Sequence, residues 1–352
     1  MKRIFFILLG FLLLFDCFLL LFGKIHQLGK TLIVKENNYT LGGQRYADLY
    51  RFCKVDVFKE VIDYGIPANQ NDSLDFADIL VIGDSFMGVI GPDDFAQTLR
   101  NGTGLKITNL SDLDERALWT PLVAMKDKKF DISKKRILIL ESAERYSTAR
   151  AKWYPMINPG FIGNYKPIED ISNDIFTFSD LNFFFNNNIL LQQLIDFRAS
   201  FLFNVTREID KNIGAYSLNP NILFYKEEVS FDKELKTKEL IKQTAENILK
   251  ISNTLEKEYN IKLIYVVIPN KYSIYNDYVN GKYAYDDFIP LLCGELNERN
   301  VLNINLYDTY MNYRKGGGTE WLYYKSDTHF TPFGREFLVS KCLDLIGENL
   351  KN

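Results

Sequence analysis

The stretch Asp78-Ile79-Leu80-Val81-Ile82-Gly83-Asp84-Ser85-Phe86 constrains the fold of this chain more than any other. Four apolar residues, Ile79 to Ile82, run without a polar interruption and then meet Gly-Asp-Ser, the pattern of a short strand buried on both faces that ends in a sharp turn. In an open parallel sheet, ligands bind beyond the carboxyl ends of the strands, where the next helix presents unpaired N–H groups. Ser85 therefore stands where a nucleophile can work. The same tripeptide is also an ordinary strand-to-helix turn, because Asp and Ser cap helices well.

From Asp75 onward, strands and helices alternate. Strand candidates are Ile79 to Gly83, Leu105 to Asn109, Arg136 to Glu141, Ile261 to Ile268 and Leu302 to Leu306. A long helical stretch, Lys233 to Tyr259, carries Leu240, Ala245, Ile248, Leu249 and Leu255. This rhythm predicts an α/β fold with a doubly wound parallel sheet in a three-layer α/β/α arrangement, spanning 75–352. The interval 146–231 breaks the rhythm and reads as an insertion over one rim of the sheet. It is rich in Phe, Tyr and Asn. Its Trp153, Tyr154 and phenylalanines can pack with one another or stack on sugar rings. Asn-x-Ser/Thr matches occur in expected loops at Asn38, Asn101 and Asn204.

Met1-Lys2-Arg3 precedes about twenty mostly apolar residues, Ile4 to Gly23, enough to cross a bilayer at ~1.5 Å per residue. The leading positive charges favour a cytoplasmic N-terminus and an extracytoplasmic remainder, periplasmic or on the cell surface. Residues 1–23 read as a retained single-pass signal anchor in the cell membrane; a cleaved signal peptide is the second reading. Asp16 lies inside this run, where it is either protonated or interfacial, or paired with another membrane protein. Residues 24–74 read as a membrane-proximal stem, with helical spacing between Tyr46 and Tyr64 and nothing that suggests chemistry.

A net charge of −3 with no Lys/Arg stripe argues against a nucleic-acid partner. Of four cysteines, Cys17 lies in the anchor, while Cys53, Cys293 and Cys342 are far apart, without metal spacing and with room for one disulfide at most. No cofactor is implied.

A serine nucleophile needs a base, and the base needs a carboxylate to fix its tautomer. The chain has two histidines, and His26 directly follows the apolar segment, which leaves His329. Asp327 precedes it by two residues, and in an extended loop i and i+2 project to the same side. Thr331 can cap a terminal helix begun by Pro332, with Leu338, Cys342 and Leu345 as its apolar stripe.

With Gly83-Asp84-Ser85 early and Asp327-Thr328-His329-Phe330-Thr331-Pro332-Phe333-Gly334 late, the chain resembles the SGNH or GDSL-type esterases and acyltransferases. The second motif, Glu141-Ser142-Ala143-Glu144-Arg145 and Pro269-Asn270-Lys271-Tyr272-Ser273-Ile274-Tyr275 look like the branch that O-acetylates bacterial exopolysaccharides, such as the alginate acetylation proteins. In those proteins the Asp-x-His element precedes the serine, whereas here it follows. The resemblance implies a Ser85–His329–Asp327 triad, with Asn109-Leu110-Ser111 in place of the usual Asn-x-Gly. Glu141-Ser142-Ala143-Glu144 stands where Gly-x-Asn-Asp is usual. Asn109 and Ser111 are then oxyanion or substrate candidates, the latter through its backbone N–H. Arg145 and Lys271 follow buried strands and either face the crevice, to hold an oxyanion or an anionic sugar, or make structural ion pairs, with Glu141 or Glu144 the obvious partners for Arg145.

The expected activity is serine-dependent acetyl transfer, or ester hydrolysis, on a cell-surface or exported polysaccharide. A membrane-bound acyltransferase partner is implied by the resemblance alone. The rival class is an inactive anchored carbohydrate-binding or scaffold protein. A metal site built on Asp327 and His329 is a third reading with an incomplete shell.

Overall fold

A computed structural model describes residues 45–62, 72, 76–87, 95–111, 132–152, 189–231, 236–279 and 285–350, together with 10, 11 and 14. In chain order the elements are β1 (Arg45–Tyr46), α1 (Asp48–Cys53), β2 (Val61–Ile62), β3 (Ile79–Ile82), α2 (Phe95–Thr103), β4 (Ile107–Asn109) and β5 (Arg136–Ala143). There follow α3 (Glu144–Lys152), α4 (Ile189–Thr206), β6 (Ile213–Leu218), β7 (Asn221–Tyr225), α5 (Lys226–Phe231) and α6 (Lys238–Tyr259). Last come β8 (Ile261–Ile268), α7 (Lys271–Tyr275), α8 (Phe288–Glu298), β9 (Leu302–Ile304), α9 (Leu306–Lys315) and α10 (Pro332–Leu350).

Strands β3, β4, β5, β8 and β9 pair only in parallel, in the order β4-β3-β5-β8-β9. The alternation of side chains divides them between two cores. Ile79 and Val81 pack with Phe95, Leu99, Leu306, Tyr310, Leu338 and Cys342. Leu80 and Ile82 pack on the opposite face with Ile241, Ile248, Leu255, Phe288 and Leu292. Helices α2, α9 and α10 therefore cover one face, and α6 and α8 the other, as expected of strands apolar on both sides. Counted within the sheet the order is 2-1-3-4-5, so the chain reverses its winding between β3 and β5, and a crevice opens beyond their carboxyl ends.

Several boundaries differ from expectation. The edge strand β9 stops at Ile304, because Asn305 turns away to cap α9 through its side chain. Helix α6 begins at Lys238, where Thr237 Oγ1 accepts the Leu240 N–H at 3.2 Å, five residues after the expected start. Asn101 and Asn204 lie in helices α2 and α4 rather than in loops. Cys53, Cys293 and Cys342 are buried and free.

Residues 45–62 form two short strands around α1 and a 3₁₀ turn instead of a continuous helix. Ala47, Leu49, Tyr50, Phe58 and Ile62 bury themselves against Phe203, Ile213 and Leu223, making a third, smaller core with the antiparallel pair β6–β7. Among the described residues, no helix is long and apolar enough to cross a membrane. The expected anchor, 4–23, lies outside the described residues apart from 10, 11 and 14, as do Asn38, Trp153 and Tyr154.

Candidate active site

Gly83 leaves β3 at the winding reversal, and Met87 N–H closes the next turn on Asp84 O at 3.0 Å, which leaves the Ser85 side chain exposed at the tip. Gly83 has no room for a side chain, since a Cβ there would sit 2.4 Å from Glu141 Oε2. Asp84 is buried under the turn. Its carboxylate accepts the Phe86 and Ala143 N–H groups, each at 3.1 Å, and pairs with Arg150 at 3.0 Å. Burial opposes its charge, but Arg150, the Phe86 N–H and the Glu141 carboxyl hold it below the ordinary carboxylate value. Glu141, fully buried beside it, moves the opposite way: burial and the Asp84 charge raise it well above the usual carboxyl range. Its Oε2 accepts the Asp84 N–H at 2.8 Å.

The imidazole arrives on the loop before α10. Tyr324 N–H donates to His329 O at 3.1 Å and Thr331 N–H to Leu322 O at 2.9 Å, which folds 322–331 back on itself. Thr331 Oγ1 accepts the Gly334 N–H, and Pro332 is the first helical residue, as expected. Phe86 packs on His329, with ring centroids 5.2 Å apart. His329 Nε2 lies 2.8 Å from Ser85 Oγ, and His329 Nδ1 lies 2.6 Å from Asp327 Oδ1. The acidic acceptor fixes the proton on Nδ1 and leaves the Nε2 lone pair facing the serine hydroxyl. Burial disfavours the imidazolium, but Asp327, Asp48 and Asp84 outweigh it and raise His329 above 6.5. Burial likewise opposes the Asp327 charge, and the His329 ring with its hydrogen bonds holds that carboxylate well below its usual range.

Three groups brace this loop. Lys271, wholly buried at the start of α7, donates to Tyr324 O at 3.3 Å, Lys325 O at 3.1 Å and Asp327 O at 2.7 Å. All three ammonium protons are thereby satisfied. Burial lowers its proton affinity against the opposing pull of Glu228, Asp48, Asp327 and Glu60. Asp48 N–H donates to Asp327 Oδ2 at 2.7 Å, and the Asp48 carboxylate accepts both the N–H and the hydroxyl of Thr328. Glu60 Oε2 accepts the Ser326 N–H at 2.6 Å.

The structure thus brings Ser85, His329 and Asp327 together. It places the remaining candidates differently. Lys271 does not face the crevice, because its charge is spent on the loop backbone. Arg145 pairs with Glu228 at 3.5 Å, not with Glu141 or Glu144, and lies over the rings of Tyr146 and Tyr225. The Ser111 N–H, expected to be available to an oxyanion, donates to Asn109 Oδ1 at 3.0 Å, and Asn109 Nδ2 donates to Met87 O. Both residues therefore brace the loops beside Ser85. Among the described residues no group accepts the Ser85 N–H, which leaves it as the local donor.

Asp48, Glu60, Arg150 and Glu228 were not anticipated. Arg150 carried a faint signal, as a cation one helix beyond β5 and able to reach back to Asp84. Asp48, Asp327 and His329 offer three ligand atoms within 4.8 Å, but their oxygens already accept hydrogen bonds from the loop.

A parallel sheet covered by helices on both faces fits an SGNH hydrolase-like domain. Residues 219–340 match the family model described as SGNH hydrolase-like domain, acetyltransferase AlgX. Over that stretch, about a third of the chain, the protein is similar to the domain of an acetyltransferase, as its motifs suggested. The match contains Lys271, Asp327 and His329; Ser85 and Asp48 lie outside it. No curated protein and no solved structure matched the chain.

Proposed function

We propose that this protein moves an acetyl group through Ser85 onto a hydroxyl of an exported or cell-surface polysaccharide, or onto water. The observation that carries this reading is the relay Ser85 Oγ, His329 Nε2, His329 Nδ1, Asp327 Oδ1, with links of 2.8 and 2.6 Å. Ser85 Oγ attacks the acetyl carbonyl as its proton passes to Nε2, and the imidazolium is stabilised by Asp327. The oxyanion takes the Ser85 N–H. Collapse expels the donor's oxygen leaving group with the proton from Nε2. The acceptor oxygen then attacks the acyl-serine as its proton passes to Nε2, and as the C–Oγ bond breaks the imidazolium returns that proton to Ser85 Oγ, freeing the serine. Transfer and hydrolysis share every residue and differ in the acceptor.

In this reading the apolar segment 4–23 anchors the chain in the cell membrane, the domain is extracytoplasmic, and a membrane-bound acyltransferase supplies the acetyl group. The matched acetyltransferase description supports the reaction class. Incubation with a chromogenic acetyl ester, quenched in acid, is expected to leave an acetyl group on the Ser85 peptide by mass spectrometry. An unmodified Ser85 with no ester turnover would favour a carbohydrate-binding scaffold.

The pH dependence follows from the same geometry. His329 accepts a proton only when neutral, and its carboxylate neighbours raise its value above 6.5. kcat/KM is therefore expected to climb with pH through a midpoint above 6.5 and to fall away on the acid side. A midpoint below 6.5 would mean that another group limits the rate.

A further inference from the structure

We propose that Asp48 is a positioning residue of the acyl-transfer site, locking the Asp327–His329 loop against the serine turn from a segment outside the matched domain. The proposal rests on the serine acyl-transfer reading. Two observations carry it. Asp48 and the loop are joined reciprocally: the Asp48 N–H donates to Asp327 Oδ2, and the Asp48 carboxylate accepts from Thr328 N–H at 2.9 Å and from Thr328 Oγ1. Asp48 Oδ2 also lies 3.9 Å from His329 Nδ1, so the imidazole meets a second negative charge beside that of Asp327.

Asp327 Oδ1 accepts both the backbone N–H and the ring Nδ1–H of His329, while Oδ2 is held by Asp48. Without the Asp48 contact, the Asp327 carboxylate can rotate about its last torsion, and the ring loses the partner that fixes its plane. Leu49 and Tyr50 N–H both donate to Ser326 O, and Glu60 holds the Lys325 and Ser326 N–H groups, so the whole segment 45–62 supports the contact.

The charged groups around His329 are Asp327 on its own loop, Asp48 from α1 and Asp84 from the serine turn, the last paired with Arg150. Lys271 from α7 faces the Asp48–Asp327 pair, with Glu228 from α5 and Glu60 from the N-terminal segment beyond it. Burial and Asp327 raise the Asp48 carboxyl from its ordinary value. Both of its oxygens accept hydrogen bonds from Thr328, and these, with His329 and Lys271, favour the charged form against that rise.

The experiment uses the full chain labelled with 13C-histidine, whose two imidazoles are told apart by His26→Gln, together with acetyl-ester kinetics. In Asp48→Asn the titration midpoint of His329 is expected to fall by about one pH unit. The acid limb of kcat/KM moves down with it, and kcat drops roughly tenfold or more at unchanged KM. Asp48→Glu restores the midpoint. Thr328→Val keeps the charge and removes the hydroxyl, so it lowers kcat while the midpoint stays. A His329 midpoint in Asp48→Asn within about 0.3 unit of the wild type overturns the proposal. If Asp48→Asn does not fold, an unchanged kcat in Thr328→Val does so. A wild type with no serine-dependent turnover, but with the midpoint shift intact, overturns the acyl-transfer reading and leaves Asp48 as the residue that sets the imidazole.

Discussion

Ser85→Ala is expected to lower kcat for acetyl-ester turnover by a factor on the order of 10⁴ or more, with little change in stability. The hydroxyl is exposed at a turn whose backbone is held by Asp84, so its removal leaves no cavity and no stranded buried group. What disappears is the atom that, in the proposed reaction, bonds to the acetyl carbon. The base cannot substitute for it directly, because His329 Nε2 sits one hydrogen bond behind the attacking oxygen. His329→Ala should therefore be nearly as damaging, and the double variant little worse than either single one, since residues that act as a unit lose their effect together. Steady-state kinetics on the three proteins measures this. Multiplicative losses would mean that serine and imidazole serve separate steps.

Lys271→Met is expected to have the largest effect on stability, about 3–5 kcal/mol. The side chains are close in volume, so the packing contribution is small. The charge decides the outcome. The ammonium is wholly buried and binds three carbonyls of the loop that ends in Asp327, with Glu228, Asp48 and Glu60 around it. Methionine leaves those carbonyls unpaired and the surrounding carboxylates uncompensated, each a penalty of roughly 1–3 kcal/mol if water does not enter. An apparent Tm lower by roughly 6 °C or more is the expected reading, accompanied by loss of turnover as the loop drifts from Ser85. A Tm unchanged within about 2 °C would mean that solvent replaces the ammonium without strain.

The central sheet was legible because its strands are short apolar runs bounded by turns, and β3, β5 and β8 match their expected positions to within two residues. The meeting of Ser85, Asp327 and His329 was legible because histidine is scarce: with two in the chain, elimination does most of the work, and Asp327 and Gly83-Asp84-Ser85 stand in recognisable motifs. Lys271 was visible but its direction was not. A cation after a buried strand can turn outward to the crevice or inward to a loop, and the loop that claims it lies 53 to 56 residues further on. Asp48 was illegible for the same reason, more strongly. It is one of 45 acidic residues, and what sets it apart is a contact across 280 positions. Asn109 and Ser111 were assigned by analogy with a motif they only partly match, and the hydrogen bond from the Ser111 N–H to Asn109 Oδ1 takes up the donor that analogy needed.

The serine and its base are 244 residues apart in sequence, and the clasp on Thr328 closes over 280. At ordinary ribosomal speeds of roughly 5–20 residues per second, Ser85 is made at least about ten seconds before His329. In the proposed reading the serine hydroxyl is without its base for most of synthesis, and the pairing waits for the loop that joins Ser85 on one side and Asp48 on the other.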